Sequence, residues 1–401
     1  MAGASAVRVA VIRPYASLPS DGSVSDRYLS LCENLLALGA APTFYCSDFV
    51  HNQKRRRSPE ELQLNAQRFP YLRSIRSIAY RDNVTLARVA HEGWFGLKVF
   101  WLLARGPRPQ AVVVGEPLFF VGWIALAYGL FSGAPILADL NDLWPEADTT
   151  VRRGLAGLLR GLIYRLLILS RRARLSRCRA LTFVSRSYAE RLAPKASEAK
   201  VFYLGSRLSP PPGRRERVET PTVAIYAGSF GLGYDIETLL QAAELLRDEK
   251  APVRVVVAGA GPKRDLVEQA HRQGTIEYLG QVDQDRLIRA YAQAQIGLLP
   301  YSAGSLVAMP NKFFDYVNFG LFVVSSLTME ARELIEKTKI GLSYQPGDAR
   351  DLAAKLIEAA ASRNALEEAR AACALLAREF AVDLQYRRFA QFVLEQARQP
   401  P

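Results

Sequence analysis

The chain has 401 residues, of which 49% are hydrophobic and 23% are charged. This length exceeds what one hydrophobic core usually serves, which predicts two domains of about 200 residues each. The four cysteines lie far apart and form no Cys-x-x-Cys pair, so neither a disulfide framework nor a zinc site is expected. The three histidines are too few for a histidine-rich metal centre. The composition therefore predicts a globular protein of a reducing compartment without an essential metal.

The net charge of +13 is concentrated in one half of the chain. Residues 1–200 contain 28 basic and 15 acidic residues, which leaves the rest of the chain neutral. One-sided positive charge indicates an anionic partner, either a nucleic acid or the inner surface of a membrane. The basic segments contain no motif that enters a nucleic-acid groove, so the membrane is favoured. The first residues lack the charged start and cleavage site of a secretory signal, which predicts a cytoplasmic protein.

The first half of the chain alternates predicted strands and helices. Val7–Ile12 is a continuous apolar run typical of a buried parallel strand. Further strands are predicted at 43–46, 111–114, 135–139, 181–184 and 201–204. Ser187 with Glu190 forms a candidate capping box for a helix. The uncharged stretch 117–138 is long enough to cross a bilayer, but its glycines and prolines favour a helix at 118–131, then a turn and a strand.

A polar, proline-rich segment from Ser209 to Arg217 interrupts this rhythm as an interdomain linker would. Further strands are predicted at 223–226, 253–258, 275–279, 296–300, 321–325 and 340–344. The pattern predicts an α/β fold of two Rossmann-like, doubly wound parallel-sheet domains, with an active site in the cleft between them. The predicted boundaries are a first domain at 1–207, a linker at 208–221, a second domain at 222–381 and a C-terminal helix at 382–401 that packs back towards the first domain.

Two segments of the second domain suit a nucleotide diphosphate. After its first strand come Gly228, Ser229, Gly231 and Gly233. Glycines before a helix let backbone N–H groups approach a phosphate, although a tight turn alone explains them equally well. The second segment contains Met309, Pro310, Asn311, Lys312 and Asp315. A cation at a helix start suits a diphosphate, and a carboxylate one turn later suits two ribose hydroxyls.

Six motifs are spread over nearly the whole chain. They are Asp139-Leu-Asn-Asp-Leu-Trp-Pro-Glu, Tyr226-Ala-Gly-Ser-Phe, Val257-Ala-Gly-Ala-Gly-Pro, Tyr278-Leu-Gly-Gln-Val, Pro310-Asn-Lys-Phe-Phe-Asp-Tyr and Tyr344-Gln-Pro-Gly-Asp. Together they resemble the family 4 retaining glycosyltransferases with the GT-B fold, particularly the bacterial branch that assembles lipid-linked surface polysaccharides. The resemblance implies a nucleotide diphosphate sugar as donor, with UDP favoured, and no cofactor. It implies transfer of a hexosyl or N-acetylhexosaminyl group.

The resemblance also assigns donor residues. Asp315 stands where the second glutamate of the family's paired-glutamate pattern holds the ribose, whereas the first glutamate falls on Val307. The cations that usually hold the diphosphate after the first strand are missing, so Lys312 and the glycine backbone would hold it. Gln281 and Val282 match the region that receives the base.

On the acceptor side, Gly115 replaces the histidine that usually precedes Glu-Pro in this family. Glu116 and Asp142, at predicted strand ends, are the catalytic candidates, with His51 as a third. A carboxylate there could accept the acceptor's hydroxyl proton or stabilise an oxocarbenium-like transition state. An N-cap or an ion pair is the alternative for Asp142. The acceptor-binding candidates after the first strand are Ser23 and Arg27.

Basic residues beside Trp, Phe and Leu predict a membrane-facing surface in the first domain. An apolar helix near 152–168 carries Arg152, Arg153, Arg160 and Arg165. An aromatic patch at 94–102 carries Lys98, and both segments suit a membrane interface. The densest charge clusters are Lys54–Arg57 and the arginines between 171 and 179. A core-packed helix with solvated arginines is the alternative for 152–168.

These observations predict a glycosyltransferase attached to the inner face of a bacterial inner membrane. Its expected partners are the nucleotide-sugar donor, a polyprenyl-diphosphate-linked glycan acceptor and the anionic membrane surface. Two alternatives remain, a nucleotide-sugar 2-epimerase-like enzyme with the same fold and an inactive binding subunit. The basic, aromatic-rich first half favours transfer over epimerisation, because a soluble epimerase has no use for a membrane.

Overall fold

Each half of the chain forms its own parallel β-sheet. The computed structural model describes residues 6–22, 26–82, 85–146, 155–193, 198–211, 221–231 and 233–399, without the side chains at 155, 156 and 198. Packing divides the chain into a first unit, Met1–Tyr203 with Asp383–Pro401, and a second unit, Leu204–Val382. The prediction of two Rossmann-like parallel-sheet domains is confirmed.

The first unit alternates strands and helices along most of its length. Its elements are β1 (Arg8–Ile12), α1 (Arg27–Ala37), β2 (Ala41–Ser47), β3 (Phe49–Val50), β4 (Arg55–Arg56), α2 (Pro59–Arg68), β5 (Leu72–Ile75), α3 (Leu86–Arg105), β6 (Ala111–Glu116), α4 (Phe119–Ser132), β7 (Ile136–Leu140), α5 (Leu155–Leu175), β8 (Ala180–Phe183), α6 (Arg186–Leu192) and β9 (Glu198–Val201). Its seven-stranded sheet has the order β5-β2-β1-β6-β7-β8-β9. The order reverses between β1 and β6, whose carboxyl ends therefore border a natural ligand crevice.

The second unit repeats this plan with a six-stranded sheet. Its elements are β10 (Thr222–Ser229), α7 (Ile236–Asp248), β11 (Val253–Ala260), α8 (Arg264–Arg272), β12 (Glu277–Tyr278), α9 (Gln284–Gln293), β13 (Ile296–Leu299), α10 (Asn311–Asn318), β14 (Phe322–Ser325), α11 (Glu330–Thr338), β15 (Gly341–Ser343), α12 (Ala349–Ala361) and α13 (Arg363–Glu379). The strands are parallel in the order β12-β11-β10-β13-β14-β15. The order reverses between β10 and β13, which marks the second ligand crevice.

The last helix, α14 (Val382–Arg398), packs within the first unit. Phe202 stacks on Phe389 of this helix with ring centroids 5.0 Å apart. The guanidinium of Arg27 lies 4.9 Å from the centroid of the same Phe389 ring. The predicted linker at 208–221 lies for the most part outside the described residues, which resume at residue 221.

Several first-unit elements differ from the sequence prediction. Strand β5 was not predicted, because only its first and last residues are buried and it is an edge strand that pairs with β2 alone. The last strand ends at Val201 rather than continuing to residue 204, because the apolar Phe202 packs on α14 instead. Helix α6 is capped by Ser185, whose hydroxyl accepts from the Tyr188 N–H, and not by Ser187.

The apolar stretch at 117–138 divides into a helix and a strand, as predicted. Helix α4 ends at Ser132 because Gly133 adopts a left-handed conformation with φ of 70°, and β7 begins at Ile136. Throughout the described ranges, every helix is too short or too polar to cross a membrane.

Candidate functional site

Lys312 lies directly over the glycine turn that ends β10. A Cβ atom on Gly228 would lie 2.2 Å from Lys312 Cε and 2.5 Å from its Nζ, so only glycine leaves room for this ammonium group. Lys312 Nζ donates to the Tyr234 hydroxyl at 3.1 Å and lies 4.2 Å from the centroid of that ring. The crevice between β10 and β13 therefore contains a positioned cation beside exposed backbone, which suits an anionic ligand.

A second glycine turn, at the end of β11, packs against the first. A Cβ atom on Gly259, whose φ is 133°, would lie 1.8 Å from the Gly228 carbonyl oxygen, and one on Gly261 would lie 2.7 Å from the Phe230 nitrogen. Both positions therefore require glycine. The predicted Gly231 and Gly233 carry no such requirement, because nothing lies within 3.4 Å of a Cβ at the former and the latter faces open space.

Asp315 lies one helical turn after Lys312 on α10. Its Oδ1 accepts a hydrogen bond from the Ser206 hydroxyl at 2.6 Å. Burial raises the pKa of the Asp315 carboxyl to about 6, although the Ser206 hydrogen bond and the Lys312 charge both oppose this rise. Ser206 was not predicted, because nothing in its local sequence shows which helix it contacts.

The other predicted donor residues surround these groups. Met309 and Pro310 are buried at the start of α10, where Pro310 is the N-cap, and Asn311 is exposed. Ser229 is exposed at the end of β10, and its carbonyl accepts from the Tyr226 hydroxyl at 2.5 Å. Gln281 is exposed and Val282 half-buried in the loop after β12. The Gly259 N–H donates to the Gly280 carbonyl at 2.8 Å, which ties that loop to the second glycine turn. We call Gly228, Gly259, Lys312, Tyr234 and Asp315 the glycine–lysine cluster.

The first unit contains a polar pocket of about 680 Å³ at the carboxyl ends of β1, β6 and β7. We call it the first-unit pocket, and the lining residues that matter here are Arg13, Tyr15, His51, Arg88, Asp142 and Trp144. The structure thus brings together two of the three predicted catalytic residues, His51 and Asp142. The sequence reasoning missed Arg13, Arg88 and Trp144, which come from separate segments.

The two predicted catalytic groups in this pocket have shifted pKa values. His51 Nδ1 lies 2.5 Å from the Tyr80 hydroxyl. Burial, followed by the charges of Lys54, Arg88 and Arg13, lowers the pKa of His51 to about 4, so the imidazole is neutral at pH 7. Asp142 is reached by solvent, yet the surrounding protein raises the pKa of its carboxyl, which backbone hydrogen bonds and the Arg13 charge oppose.

Glu116 and Arg27 are committed to buried ion pairs. Glu116 Oε2 accepts from Arg174 Nη2 and from the Leu118 N–H, both at 2.8 Å. Arg27 donates to both carboxylate oxygens of Asp139, at 2.8 and 3.0 Å, and is buried. These contacts hold both side chains inside the first unit. Glu116 and Arg27 therefore stabilise the fold, and neither side chain is positioned to contact an acceptor. The acceptor candidate Ser23 lies outside the described residues.

Five arginines of the densest basic clusters form ion pairs, whereas Arg172, Arg177 and Arg179 are exposed as the sequence predicts. Arg55 pairs with Glu61 at 2.7 Å, Arg56 with Asp48 at 2.5 Å, and Arg57 with Asp21 at 2.6 Å. Arg171 pairs with Glu146, and Arg174 pairs with Glu116. The sequence alone does not reveal these pairs, because each acidic partner is distant in sequence or lies on the far side of a turn.

Six apolar side chains of α5 are exposed, whereas Leu167 and Ile168 are half-buried and Leu175 is buried, so the helix packs along one face only. The exposed side chains are Leu158, Leu159, Leu162, Ile163, Leu166 and Leu169. Their three- and four-residue spacing places them on one side of the helix. The predicted Arg152 and Arg153 lie outside the described residues. Tyr164 of α5 makes an edge contact with Trp144 of the first-unit pocket, with ring centroids 6.0 Å apart.

Exposed aromatic residues on α3 are paired with cations. Lys98 Nζ lies 4.8 Å from the Trp94 ring centroid, and the Arg105 guanidinium lies 4.0 Å from that of Trp101. On α4, Leu130 is 89% exposed and borders an apolar pocket of about 620 Å³ that Arg177 and Arg179 also line. Among the residues that the structure describes, no group of three or more His, Cys, Asp or Glu side chains could hold a metal ion.

Comparisons with known proteins agree with the predicted fold. Residues 221–362 match the family model described as glycosyl transferases group 1. The structure is similar to that of sucrose-phosphate synthase from Thermosynechococcus elongatus, with a TM-score of 0.67 and 17% identity over 97% of this chain and 99% of that chain. It is similar to Anabaena HepE in complex with UDP and glucose, with a TM-score of 0.65 and 12% identity over 97% of this chain and 100% of that chain.

A third similar structure is WaaG, a glycosyltransferase involved in lipopolysaccharide biosynthesis, with a TM-score of 0.65 and 12% identity over 96% of this chain and 99% of that chain. No curated protein sequence matches the chain significantly. At these identities the structural similarity shows the fold, which is the predicted GT-B type. The match over residues 221–362 supports glycosyltransferase activity.

Proposed function

We propose that the protein transfers a hexosyl or N-acetylhexosaminyl group from a nucleotide diphosphate sugar, with UDP favoured, to a lipid-linked glycan in bacterial surface-polysaccharide synthesis. The observation that carries this proposal is the glycine–lysine cluster. It places Lys312 over the Gly228 turn and Asp315 one turn further on, inside the segment that matches the glycosyltransferase model. The UDP bound by the similar HepE supports the choice of nucleotide.

On the donor side, the groups of the cluster match the parts of a nucleotide diphosphate. The Lys312 ammonium faces the glycine backbone, where a diphosphate would find one full charge and backbone N–H groups together. The Asp315 carboxylate can accept hydrogen bonds from both ribose hydroxyls, which would replace the Ser206 hydroxyl or share the carboxylate with it. A free diphosphate and a nucleotide sugar should therefore compete for one site.

On the acceptor side, the reaction needs a hydroxyl and a base. The hydroxyl oxygen forms a bond to the anomeric carbon, the bond from that carbon to the diphosphate oxygen breaks, and the nucleotide diphosphate leaves with its electron pair. The proton of the hydroxyl passes to a base. Asp142 and the neutral imidazole of His51 are the candidates in the first-unit pocket, since a carboxylate and a neutral imidazole both have a lone pair that can take the proton.

Attachment to an anionic membrane surface is part of the proposal. The apolar stripe of α5 lies beside the exposed Arg165 and Arg172, which is the composition of an interfacial helix. Tyr164 links this helix to Trp144 of the first-unit pocket. A lipid-linked acceptor held at the membrane would thus reach the pocket from the α5 side.

Nucleotide binding is the first test. The purified protein is screened by thermal unfolding against UDP, GDP, ADP and their sugars, because a ligand at a hundredfold its Kd stabilises the folded state by about 2.7 kcal/mol. We expect a selective shift with one nucleotide. Asp315→Ala should abolish the shift, whereas Asp265→Ala, which removes an exposed carboxylate of α8 in the same unit, should preserve it.

Transfer is the second test. With the selected nucleotide sugar and a short-chain lipid-linked glycan, the wild-type protein should release nucleotide diphosphate only when acceptor is present. Loss of Asp315 should raise the KM for the donor strongly. The absence of a shift with every nucleotide would refute the donor site. A nucleotide-induced thermal shift without any turnover would indicate an inactive binding subunit. Conversion of the donor sugar to another sugar in the absence of acceptor would indicate an epimerase.

A further inference from the structure

The first-unit pocket contains a half-buried arginine, Arg13, with one unsatisfied nitrogen. Arg13, which follows β1, lines the pocket, and its Nη1 is buried without a hydrogen-bond partner among the described residues. A buried N–H group that lacks an acceptor destabilises the folded protein, and the effect is larger when the group is charged. An acceptor supplied by a ligand would remove this cost.

The position of Arg13 depends on a glycine. A Cβ atom on Gly115 would lie 2.8 Å from Arg13 Cδ and 2.3 Å from the Tyr28 hydroxyl. Gly115 occupies the position where the family resemblance places a histidine. The space that a histidine side chain would enter is thus occupied by an arginine side chain and a tyrosine hydroxyl.

A second guanidinium, that of Arg88, lines the same pocket. It lies 5.4 Å from the ring centroid of Tyr15 and 5.7 Å from that of Trp144. Its Nε donates to the Tyr15 hydroxyl at 3.3 Å and lies 3.6 Å from a Glu92 oxygen. Both arginines line one pocket, together with His51 and Asp142, so a single ligand in the pocket would lie near both.

The acidic residues near the pocket balance only part of this positive charge, since Glu92 lies beside Arg88 and the Arg13 charge acts on Asp142. Asp21 is already paired with the buried Arg57, which donates to both of its carboxylate oxygens at 2.6 and 2.8 Å. Asp142 is the other lining carboxylate. Two guanidinium groups therefore face the site of the proposed proton acceptor, and guanidinium groups recognise phosphate and carboxylate by the same geometry.

We infer that the acceptor carries an anionic group, a phosphate or a carboxylate, next to the hydroxyl that receives the sugar, and that Arg13 with Arg88 binds this group. The inference rests on the proposed function. It narrows the acceptor to a sugar attached directly to a lipid diphosphate or to a glycan that ends in an acidic sugar. A long neutral glycan would place its charge too far from the accepting hydroxyl.

The test uses the full chain and three probes. They are a neutral methyl glucoside, the matching methyl glucuronide, and glucose linked to a short prenyl diphosphate. Affinity is measured through protein fluorescence, since Trp144 lines the pocket. We expect one of the two anionic probes to bind at least tenfold more tightly than the neutral one, and which of them does so distinguishes a carboxylate from a phosphate.

Substitutions of Arg13 and Arg88 test which arginine binds the anionic group of the probe. Arg13→Gln should remove the preference for the anionic probe, Arg13→Lys should restore part of it, and Arg88→Gln should weaken it. Arg73→Gln, at an exposed arginine of β5, is the matched control and should change nothing. Equal affinity for the three probes, or a loss in Arg13→Gln that is the same for neutral and anionic probes, would overturn the inference.

Nucleotide-induced thermal stabilisation separates this inference from the proposed function. The stabilisation should persist in Arg13→Gln and Arg88→Gln, because the glycine–lysine cluster lies in the second unit. A wild-type protein that binds the anionic probe but no nucleotide would contradict the proposed function. A wild-type protein that binds nucleotide but prefers no anion would contradict only the inference about the acceptor.

Discussion

The two ligand crevices of this protein are assembled in different ways. The glycine–lysine cluster takes most of its groups from the short segments around 228–234 and 309–315, each of which follows a strand of the second sheet. The first-unit pocket takes Arg13, His51, Arg88 and Asp142 from four distant segments. A site built from contiguous segments can be predicted from its motifs, whereas one built from distant side chains depends on the whole fold.

The largest effect on stability is expected for the buried ion pair between Arg27 and Asp139, which are distant in sequence. In Arg27→Met, the buried Asp139 carboxylate loses its cationic partner, which should lower the free energy of unfolding by about 3–5 kcal/mol. All four tryptophans, Trp94, Trp101, Trp123 and Trp144, lie in the first unit. Denaturation followed by tryptophan fluorescence therefore reports on this unit.

The matched control for the buried pair is Arg73→Met, which removes an exposed arginine and should change the free energy of unfolding by no more than about 0.5 kcal/mol. Nucleotide binding to the folded Arg27→Met protein should be retained at low temperature. If Arg27→Met unfolded at the same denaturant concentration as the wild type, the first unit would not depend on this pair.

The second prediction concerns the local construction of the glycine–lysine cluster. In Gly259→Ala, the new Cβ would lie 1.8 Å from the Gly228 carbonyl oxygen, so the two turns must separate and move the backbone beneath Lys312. We expect nucleotide affinity to fall by about thirtyfold, or roughly 2 kcal/mol. Isothermal titration with the selected nucleotide measures this loss.

Gly274→Ala separates steric overlap from backbone strain in that experiment. Gly274 also has a positive φ, of 70°, but nothing lies within 4 Å of its Cβ position. This variant should lose some stability and keep its nucleotide affinity. Equal losses of affinity in both variants would show that the close approach of the two turns is unimportant.

The same contrast explains how much could be predicted from the sequence. The parallel order of both sheets and the placement of Lys312 and Asp315 follow from apolar periodicity and from residues that are neighbours in the chain. The pairing of Arg57 with Asp21, and of Arg174 with Glu116, could not be predicted, because each joins side chains from separate elements. A charge count treats such residues as surface charge, although packing removes them from it.

The third prediction is a pH dependence of donor affinity. The pKa of Asp315 is about 6 in the free protein, and the ionised carboxylate accepts hydrogen bonds from ribose hydroxyls much more strongly than the neutral acid does. Affinity should therefore rise with pH through 6 and level off above 7. At pH 5 about a tenth of the carboxyl is ionised, so the apparent Kd should be about tenfold weaker than at pH 7.

A nucleotide sugar is the ligand for this measurement, because its diphosphate keeps a constant charge over the pH range. In Asp315→Asn, affinity should be low and independent of pH.

The raised pKa of Asp315 also means that the folded second unit holds the proton more tightly than the unfolded chain does. The contribution of Asp315 to stability is therefore full below the ordinary value of 3.8 and is lost as the pH rises to about 6. A donor affinity of the wild type that did not change between pH 5 and pH 7 would exclude Asp315 from the ribose site.

The smallest effect is expected on the exposed face of α5. Leu162→Ser removes an exposed side chain, so the free energy of unfolding should change by no more than about 0.5 kcal/mol. Partition onto anionic phosphatidylglycerol vesicles should nevertheless weaken by about fivefold, because an interfacial leucine contributes on the order of 1 kcal/mol. Vesicle sedimentation measures the partition, and neutral phosphatidylcholine vesicles should bind the wild type more weakly.

Leu375→Ser, at a leucine of α13 that is 68% exposed, is the control in the second unit and should leave the partition unchanged. Equal losses in the two variants would show that vesicles bind exposed leucines without preference, and α5 would then have no special role beside the first-unit pocket.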